Sequence, residues 1–324
     1  MNVGIVVIGR NEGERLKVCL ESVVGIARQT VYVDSGSTDG SVEMARRMGV
    51  EIVELDILTP FTAARARNEG FRRLRELAPG LAYVQFVDGD CQLVHGWVEK
   101  AAIFLGEHED VAVVCGRLRE KFPERSVYNM LCDIEWNRPL GEAKSSGGIA
   151  MMRAGAFESV RGYRAGLIAG EEPELCVRLR AAGWRIWRLG EEMAMHDAAM
   201  SRFGQWWKRT LRAGYAFAQG AHLHGAPPER HCLRESRSAW FWGLGIPAGV
   251  FGLALWLGVW ALVLLLIYPL QIVRLAVRDG RSSARKNWWR AVFLVIGKFP
   301  EMIGQMKFLF HRHLSGQSRL IEYK

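Results

Sequence analysis

Two aspartates separated by one glycine, in Phe86-Val87-Asp88-Gly89-Asp90-Cys91, close a β-branched run. Carboxylates at that spacing, where a strand ends, suit a hard divalent cation that keeps water and a diphosphate among its ligands. The same residues also make an ordinary turn, and the pattern alone leaves both readings open. A second segment, Val33-Asp34-Ser35-Gly36-Ser37-Thr38-Asp39-Gly40-Ser41, is a Gly-rich turn running into a helical pattern. Its helix N-terminus can hold polar or anionic groups, and Asp39 or Ser41 equally serves as a cap. A third run, Gly170-Glu171-Glu172-Pro173-Glu174, puts three carboxylates in a first helical turn, where they also favour the helix dipole.

Strands must present these residues. Val3–Ile8, Thr30–Asp34, Glu51–Leu55, Tyr83–Asp88 and Val111–Cys115 read as short strands, and the residues between them, 14–27, 41–48, 62–77 and 96–106, carry apolar positions at helical spacing. Strand and helix in alternation predict an α/β fold: a mainly parallel, Rossmann-like sheet with helices on both faces and ligands at the carboxyl ends of its strands. No GxGxxG follows the first strand, which argues against a dinucleotide-dependent oxidoreductase.

Two further motifs complete a series. Ile8-Gly9-Arg10-Asn11-Glu12 follows the first strand, and Ala64-Arg65-Ala66-Arg67-Asn68 lies on the helix before the Asp88 strand. In this order, over about residues 3–215, the chain resembles the family 2 glycosyltransferases of GT-A fold. The resemblance implies that Asn11, Glu12 and Asp34 surround a nucleotide base, with Ser35 where many relatives carry a second Asp. It implies Arg67 and Asn68 near the nucleotide, Asp88 by the ribose, and Asp90 with Asp88 at Mg²⁺ or Mn²⁺ on the diphosphate. Ser145-Ser146-Gly147-Gly148-Ile149-Ala150 resembles the small-residue loop lining donor sugar and acceptor, with Gly147 and Gly148 at its centre; by itself it is equally a bulge or turn. Glu172 stands at the position of the catalytic base, a Glu where the family commonly has Asp, with Glu171 able to share the role. His196 falls where such enzymes place a histidine at metal or diphosphate.

In Gln205-Trp206-Trp207-Lys208-Arg209-Thr210-Leu211-Arg212 the chain resembles the interfacial segment of membrane-bound members, and Arg209 and Arg212 are the candidates to reach the diphosphate. Lys208 and Thr210 break the QxxRW signature of processive synthases, which argues against a polymerising enzyme. The chemistry needs a base for the acceptor hydroxyl and a positive environment for the leaving diphosphate. A single in-line displacement then inverts the anomeric centre, as the resemblance also implies.

The 324 residues carry a net charge of +9, unevenly placed. Residues 201–324 hold 18 Lys/Arg against 5 Asp/Glu, and 36 positions from Ser238 to Val273 carry no charge at all. Basic residues bracket that stretch: Arg230, Arg234 and Arg237 before it, Arg274, Arg278, Arg281, Arg285 and Lys286 after it. As one straight helix it would measure about 54 Å against roughly 30 Å of hydrocarbon. Both basic ends belong on the cytoplasmic side, so a hairpin is expected, with Trp256 and Trp260 near its tip. The mixture of aromatic and basic residues over Trp288–Phe310 suits an interfacial helix. The charge pattern favours a membrane surface over nucleic acid. Six scattered cysteines indicate neither a zinc site nor a disulfide framework, and a reducing cytoplasm is their expected home.

The expectation is therefore a GT-A nucleotide-sugar domain over residues 1–225 and a C-terminal membrane hairpin with interfacial helices over 226–324. It is an inverting hexosyltransferase at the cytoplasmic face of the inner membrane, using a nucleotide-diphosphate sugar, a UDP-sugar favoured, and Mg²⁺ or Mn²⁺. Its acceptor is a lipid-linked or other saccharide for envelope or exopolysaccharide synthesis. The rivals are a polyprenyl-phosphate glycosyl transferase and a non-catalytic nucleotide-sugar-binding membrane partner.

Overall fold

The computed structural model describes residues 2–56, 58–278 and 283–315; Arg281 of the second basic flank lies outside them. The chain forms two compact units, one of residues 1–122 with 132–199, the other of residues 123–131 with 200–324.

The first unit is built on one sheet. Its elements are β1 (Val3–Gly9), α1 (Glu14–Glu21), β2 (Gln29–Asp34), α2 (Ser41–Arg47), β3 (Glu51–Glu54), α3 (Ala63–Leu77), β4 (Tyr83–Asp88), β5 (Cys91–Leu93), α4 (Trp97–Glu107) and β6 (Val111–Glu120). After α5 (Val127–Trp136), whose first half belongs to the second unit, come β7 (Gly141–Glu142), β8 (Ala150–Arg153), α6 (Ala154–Ser159), α7 (Glu171–Ala181) and β9 (Arg185–His196). The strand order is β3-β2-β1-β4-β8-β6-β9-β5, with β7 on β9. From β3 to β4 every pairing is parallel; β8 then enters antiparallel between β4 and β6, β6 and β9 run parallel, and β5 and β7 pair antiparallel with β9. The sheet is thus mixed, with its parallel half at the N-terminal end.

Strands covered on both faces need apolar side chains at every position, and β1 (Val3, Ile5, Val6 and Val7 fully buried) follows that rule. Helix α3 lies tight on β1 and β2 because Gly70 has no side chain; a Cβ there would stand 2.8 Å from Val33 Cγ2 and closer still to Val6 Cγ1. Thr62 starts that helix, its hydroxyl accepting from Arg65 N at 3.0 Å. This packing fixes the carboxyl ends of β1, β2 and β4, where the chemical motifs emerge.

The second unit is helical: α8 (Phe203–His224), α9 (Leu233–Trp240), α10 (Ile246–Leu257), α11 (Ile267–Arg278), α12 (Ala284–Ile296) and α13 (Lys298–Phe310). Helices α8 and α13 cross at backbone contact, Gly214 against Glu301 and Gly304 against Leu211, where any Cβ would collide. By length and composition Leu233–Arg278 is the one segment among the described residues able to cross a membrane. It is not straight. A π-turn at Phe241–Gly245 joins α9 to α10, Gly258 at φ +58 ends α10, and a 3₁₀ stretch, Gly258–Leu266, leads to α11. The Tyr268 hydroxyl donates to the Trp242 carbonyl at 2.6 Å, whereas 26 residues of straight helix would separate them by about 39 Å. The segment therefore doubles back at Gly258. Its outer surface is bare: Trp256 is 88% exposed, Trp260 78%, and Phe251 and Val259 both 71%.

Candidate active site

The first unit gathers most of the expected residues at one end of its sheet. β1 and β4 are register partners, Ile8 beside Asp88, and Gly89 N donates to the Ile8 carbonyl at 2.8 Å. Asp88 and Asp90 thus emerge beside the loop after β1. His196 is positioned by register as well: on β9 it pairs with Cys91 of β5 on one side and Glu120 of β6 on the other. Its Nε2 lies 3.3 Å from Asp90 Oδ1 and its Nδ1 3.8 Å from Glu120 Oε2. Single ligand atoms of Asp90, Cys91 and His196 all fall within 4.8 Å of one another. The Asp197 amide donates to the Asp90 carbonyl at 3.0 Å, tying the two strand ends together.

Arg67 is the centre of a second cluster. It is 2% exposed; one terminal nitrogen donates to Asp88 Oδ1 and the other to Glu171 Oε1, each at 2.7 Å. Burial works against its charge, but Asp88 and Glu171 outweigh that cost and hold the guanidinium protonated. The Tyr163 ring lies beneath it, 5.5 Å from Cζ. Gly148 closes over this pair: a Cβ there would stand 3.0 Å from both Arg67 Nη2 and Asp88 Oδ2. Gly147, at φ +98, makes the turn that brings the loop in.

Glu171 and Glu172 have distinct settings. Glu171 is the partner of Arg67. Glu172 is 5% exposed, and its Oε1 accepts from Ser146 N (2.6 Å), Ser146 Oγ (2.8 Å) and Cys176 Sγ (3.0 Å). Burial, then the charge of Glu172, pushes the Cys176 thiol well up, so it remains a donor. All three contacts converge on one oxygen and none on Oε2.

The loops around β1 and β2 interlock. Asn11 N donates to Ser37 Oγ (2.9 Å), Asn11 Oδ1 accepts from Thr38 N (2.8 Å), and Asp39 Oδ2 accepts from Gly13 N (2.9 Å). Burial pushes the Asp39 carboxyl up, but the donors on Ser41 and Gly13 outweigh it and hold it below the usual range. Asp34 faces inward, 2% exposed, accepting from the Tyr32 hydroxyl (2.7 Å), Gly36 N (2.8 Å) and Ser37 N (2.7 Å). Its carboxylate shapes the turn, while the following Ser35 is half-buried. Glu12 pairs with Arg15 at 2.6 Å, and Asn68 clamps the Tyr163 backbone through both amide atoms. Arg209 and Arg212 lie on α8, in the second unit, both half-buried.

Three residues escaped the sequence reading. Glu120 is buried, accepting from Phe122 N (3.2 Å) and Ala198 N (3.1 Å) while facing His196. Arg188, 5% exposed, donates to the carbonyls of Ser145 (3.1 Å) and Ser146 (3.2 Å) and so holds the small-residue loop. Trp136 stands edge-on to the His196 ring at 4.6 Å. The sequence carried no signal for them: Glu120 and Arg188 lie on stretches whose polar and glycine residues hide the strands they belong to.

The site is strongly acidic. Burial, followed by the charges of Asp90, Asp88 and Glu12, pushes the Cys19 thiol well up, the mark of a negative field that a cation would relieve. Carboxylate and imidazole donors fit Mn²⁺ or, less well, the harder Mg²⁺; Asp90 and His196 provide one of each, with Asp88 adjacent.

Fold and site together define an α/β protein of GT-A type. Residues 4–158, a little under half of the chain, match the model for glycosyl transferase family 2, and that stretch is a family 2 glycosyltransferase domain. Glycosyltransferase AglE of Haloferax volcanii is 26% identical over 225 residues, 65% of this chain and 71% of that protein. Succinoglycan biosynthesis protein ExoA of Rhizobium meliloti is 28% identical over 205 residues, 56% of this chain and 59% of that one. Mannosyltransferase PcManGT from Pyrobaculum calidifontis, solved in complex with GDP-Man and Mn²⁺, superposes with a TM-score of 0.64 over 96% of this chain and 88% of its own, at 18% identity. That likeness is one of fold, and the fold is GT-A.

Proposed function

We propose that the chain is a metal-dependent, inverting glycosyltransferase that moves a sugar from a nucleoside-diphosphate sugar to a hydroxyl of a lipid-linked saccharide during envelope or exported polysaccharide synthesis at a membrane. The observation that carries the reading is the meeting, at one end of the sheet, of the Asp90–His196 ligand pair with the Asp88–Arg67–Glu171 bridge over which Gly148 closes. Asp90 and His196, with Asp88 beside them, are the residues to hold a divalent cation, which when bound supplies charge neutralisation for the departing nucleoside diphosphate. Arg67 orients Asp88 and Glu171. Ser146 and Cys176 fix Glu172 through Oε1, leaving Oε2 to take the acceptor proton. One base acting on the acceptor gives a single displacement and inversion. The bare apolar hairpin with basic flanks supports the membrane and the lipid-linked acceptor, and the succinoglycan role in one relative's name supports a polysaccharide product.

The test is turnover of a panel of UDP-, GDP- and dTDP-sugars by the full chain in detergent, with Mn²⁺, Mg²⁺ or EDTA, reading released nucleoside diphosphate. One donor consumed only with metal, and not by Asp90→Ala, is the expected result. Donor binding without turnover under every metal and acceptor would favour a non-catalytic binding protein.

A further inference from the structure

We infer that the hairpin from Trp242 to Tyr268 is a re-entrant anchor that enters and leaves a bilayer through one face and does not cross it. The inference rests on the membrane-attached reading above and says how that attachment is made. From Trp242 to the turn at Gly258 the chain advances 16 residues, about 24 Å at helical rise. The return from Gly258 to Tyr268 is ten residues, about 20 Å at the rise of its mainly 3₁₀ stretch. The Tyr268–Trp242 hydrogen bond fixes the base of both arms at one level. Neither arm, measured from that bond, matches the roughly 30 Å of hydrocarbon between headgroups, so the tip carrying Trp256 and Trp260 stops inside the lipid.

Three features name the bilayer as the partner. The outer faces of both arms are apolar and exposed through Phe251, Leu255, Val259, Leu262 and Leu266, and each arm is helical, α or 3₁₀, up to the turn, so that its backbone groups bond within the segment as a lipid medium demands. The crevice between the arms, about 540 Å³, is lined by apolar residues such as Val250, Leu253, Leu264 and Ile267, so a surrounding medium of acyl chains fills it without cost. Cations stand at the base alone: Arg230, Arg234 and Arg237 before the hairpin, Arg274, Arg278, Arg285 and Lys286 after it, on the side where anionic headgroups would lie.

The test uses the full chain expressed in a bacterial inner membrane, with Cys232 changed to Ser because the other five cysteines are buried. Single thiols at Arg274→Cys and Trp260→Cys are then exposed to a membrane-impermeant maleimide from each side. Arg274→Cys should label from the cytoplasmic side only, and Trp260→Cys from neither side, at least roughly tenfold less than Arg274→Cys until detergent is added. Labelling of Trp260→Cys from the periplasmic side overturns the inference, because the hairpin then spans; labelling from the cytoplasmic side without detergent, or release of the protein by high salt, overturns it because nothing is inserted. The unsubstituted chain provides a second measurement: its tryptophan fluorescence in phosphatidylethanolamine–phosphatidylglycerol vesicles should be quenched by lipids brominated along the acyl chain, and unchanged fluorescence counts against insertion. None of these readouts depends on turnover, so loss of the glycosyltransferase reading would leave them standing.

Discussion

Arg67 joins groups from three elements, and its removal separates two kinds of effect. Truncation to Ala strands Asp88 and Glu171 without their buried counter-charge, a loss on the order of 3–5 kcal/mol measured by denaturant unfolding. Lys has one point charge where the two carboxylates need a fork, so Arg67→Lys should keep the fold and raise the donor KM. Glu172 is expected to act at the other end of the reaction. Glu172→Gln should lower kcat by roughly 10²–10⁴-fold with donor affinity retained, while Glu172→Asp, the family's usual residue, should keep measurable turnover. Glu120 faces His196 as a carboxylate behind a ligand; Glu120→Gln should weaken Mn²⁺ binding by about 10–100-fold, read by calorimetry on the chain without donor. A purely structural role would lower the melting temperature and leave metal affinity unchanged.

At the scale of elements, the interlocked loops after β1 and β2 depend on Asp39. Its folded pKa lies below its unfolded one, so its contribution is complete above about pH 4, the ordinary carboxylate range, and is lost as pH falls through the lower folded value. Nucleotide affinity should therefore persist to about pH 4, and Asp39→Asn should weaken it at all pH values and erase the acid step. Gly70→Ala presses a methyl onto Val6 and Val33 and should cost about 1–3 kcal/mol by thermal unfolding. The elements also explain what the sequence could reveal. β1, β2 and β4 carry β-branched residues in strands largely buried on both faces, hence visible. β8, Ala-Met-Met-Arg, has no β-branched residue, and β9 carries Gly190-Glu191-Glu192 in its middle, so neither looked like a strand. β6 runs on past Cys115 through Gly-Arg-Leu-Arg to Glu120, and with that polar end unread the partner of His196 was invisible. The Asp88–Asp90 pair was legible because local spacing carries it; the bridge from Arg67 to Glu171 spans 104 residues and exists only once the sheet has formed.

For the molecule as a whole, the proposed attachment divides its labour between charge and apolar surface. Replacing Arg274, Arg278 and Arg285 with Gln should weaken binding to anionic vesicles by about 1 kcal/mol per residue and flatten its salt dependence, with binding to uncharged vesicles preserved by the hairpin; cosedimentation distinguishes the two. The turn at Gly258 has a consequence for how such a chain is made. In the proposed topology, a loop that goes in and out by the same door carries no hydrophilic cargo through the bilayer, so no translocation channel is required of it. Synthesis can finish and the catalytic sheet can close before any lipid is met, and attachment becomes a partition between solution and surface that follows the amount and composition of membrane available.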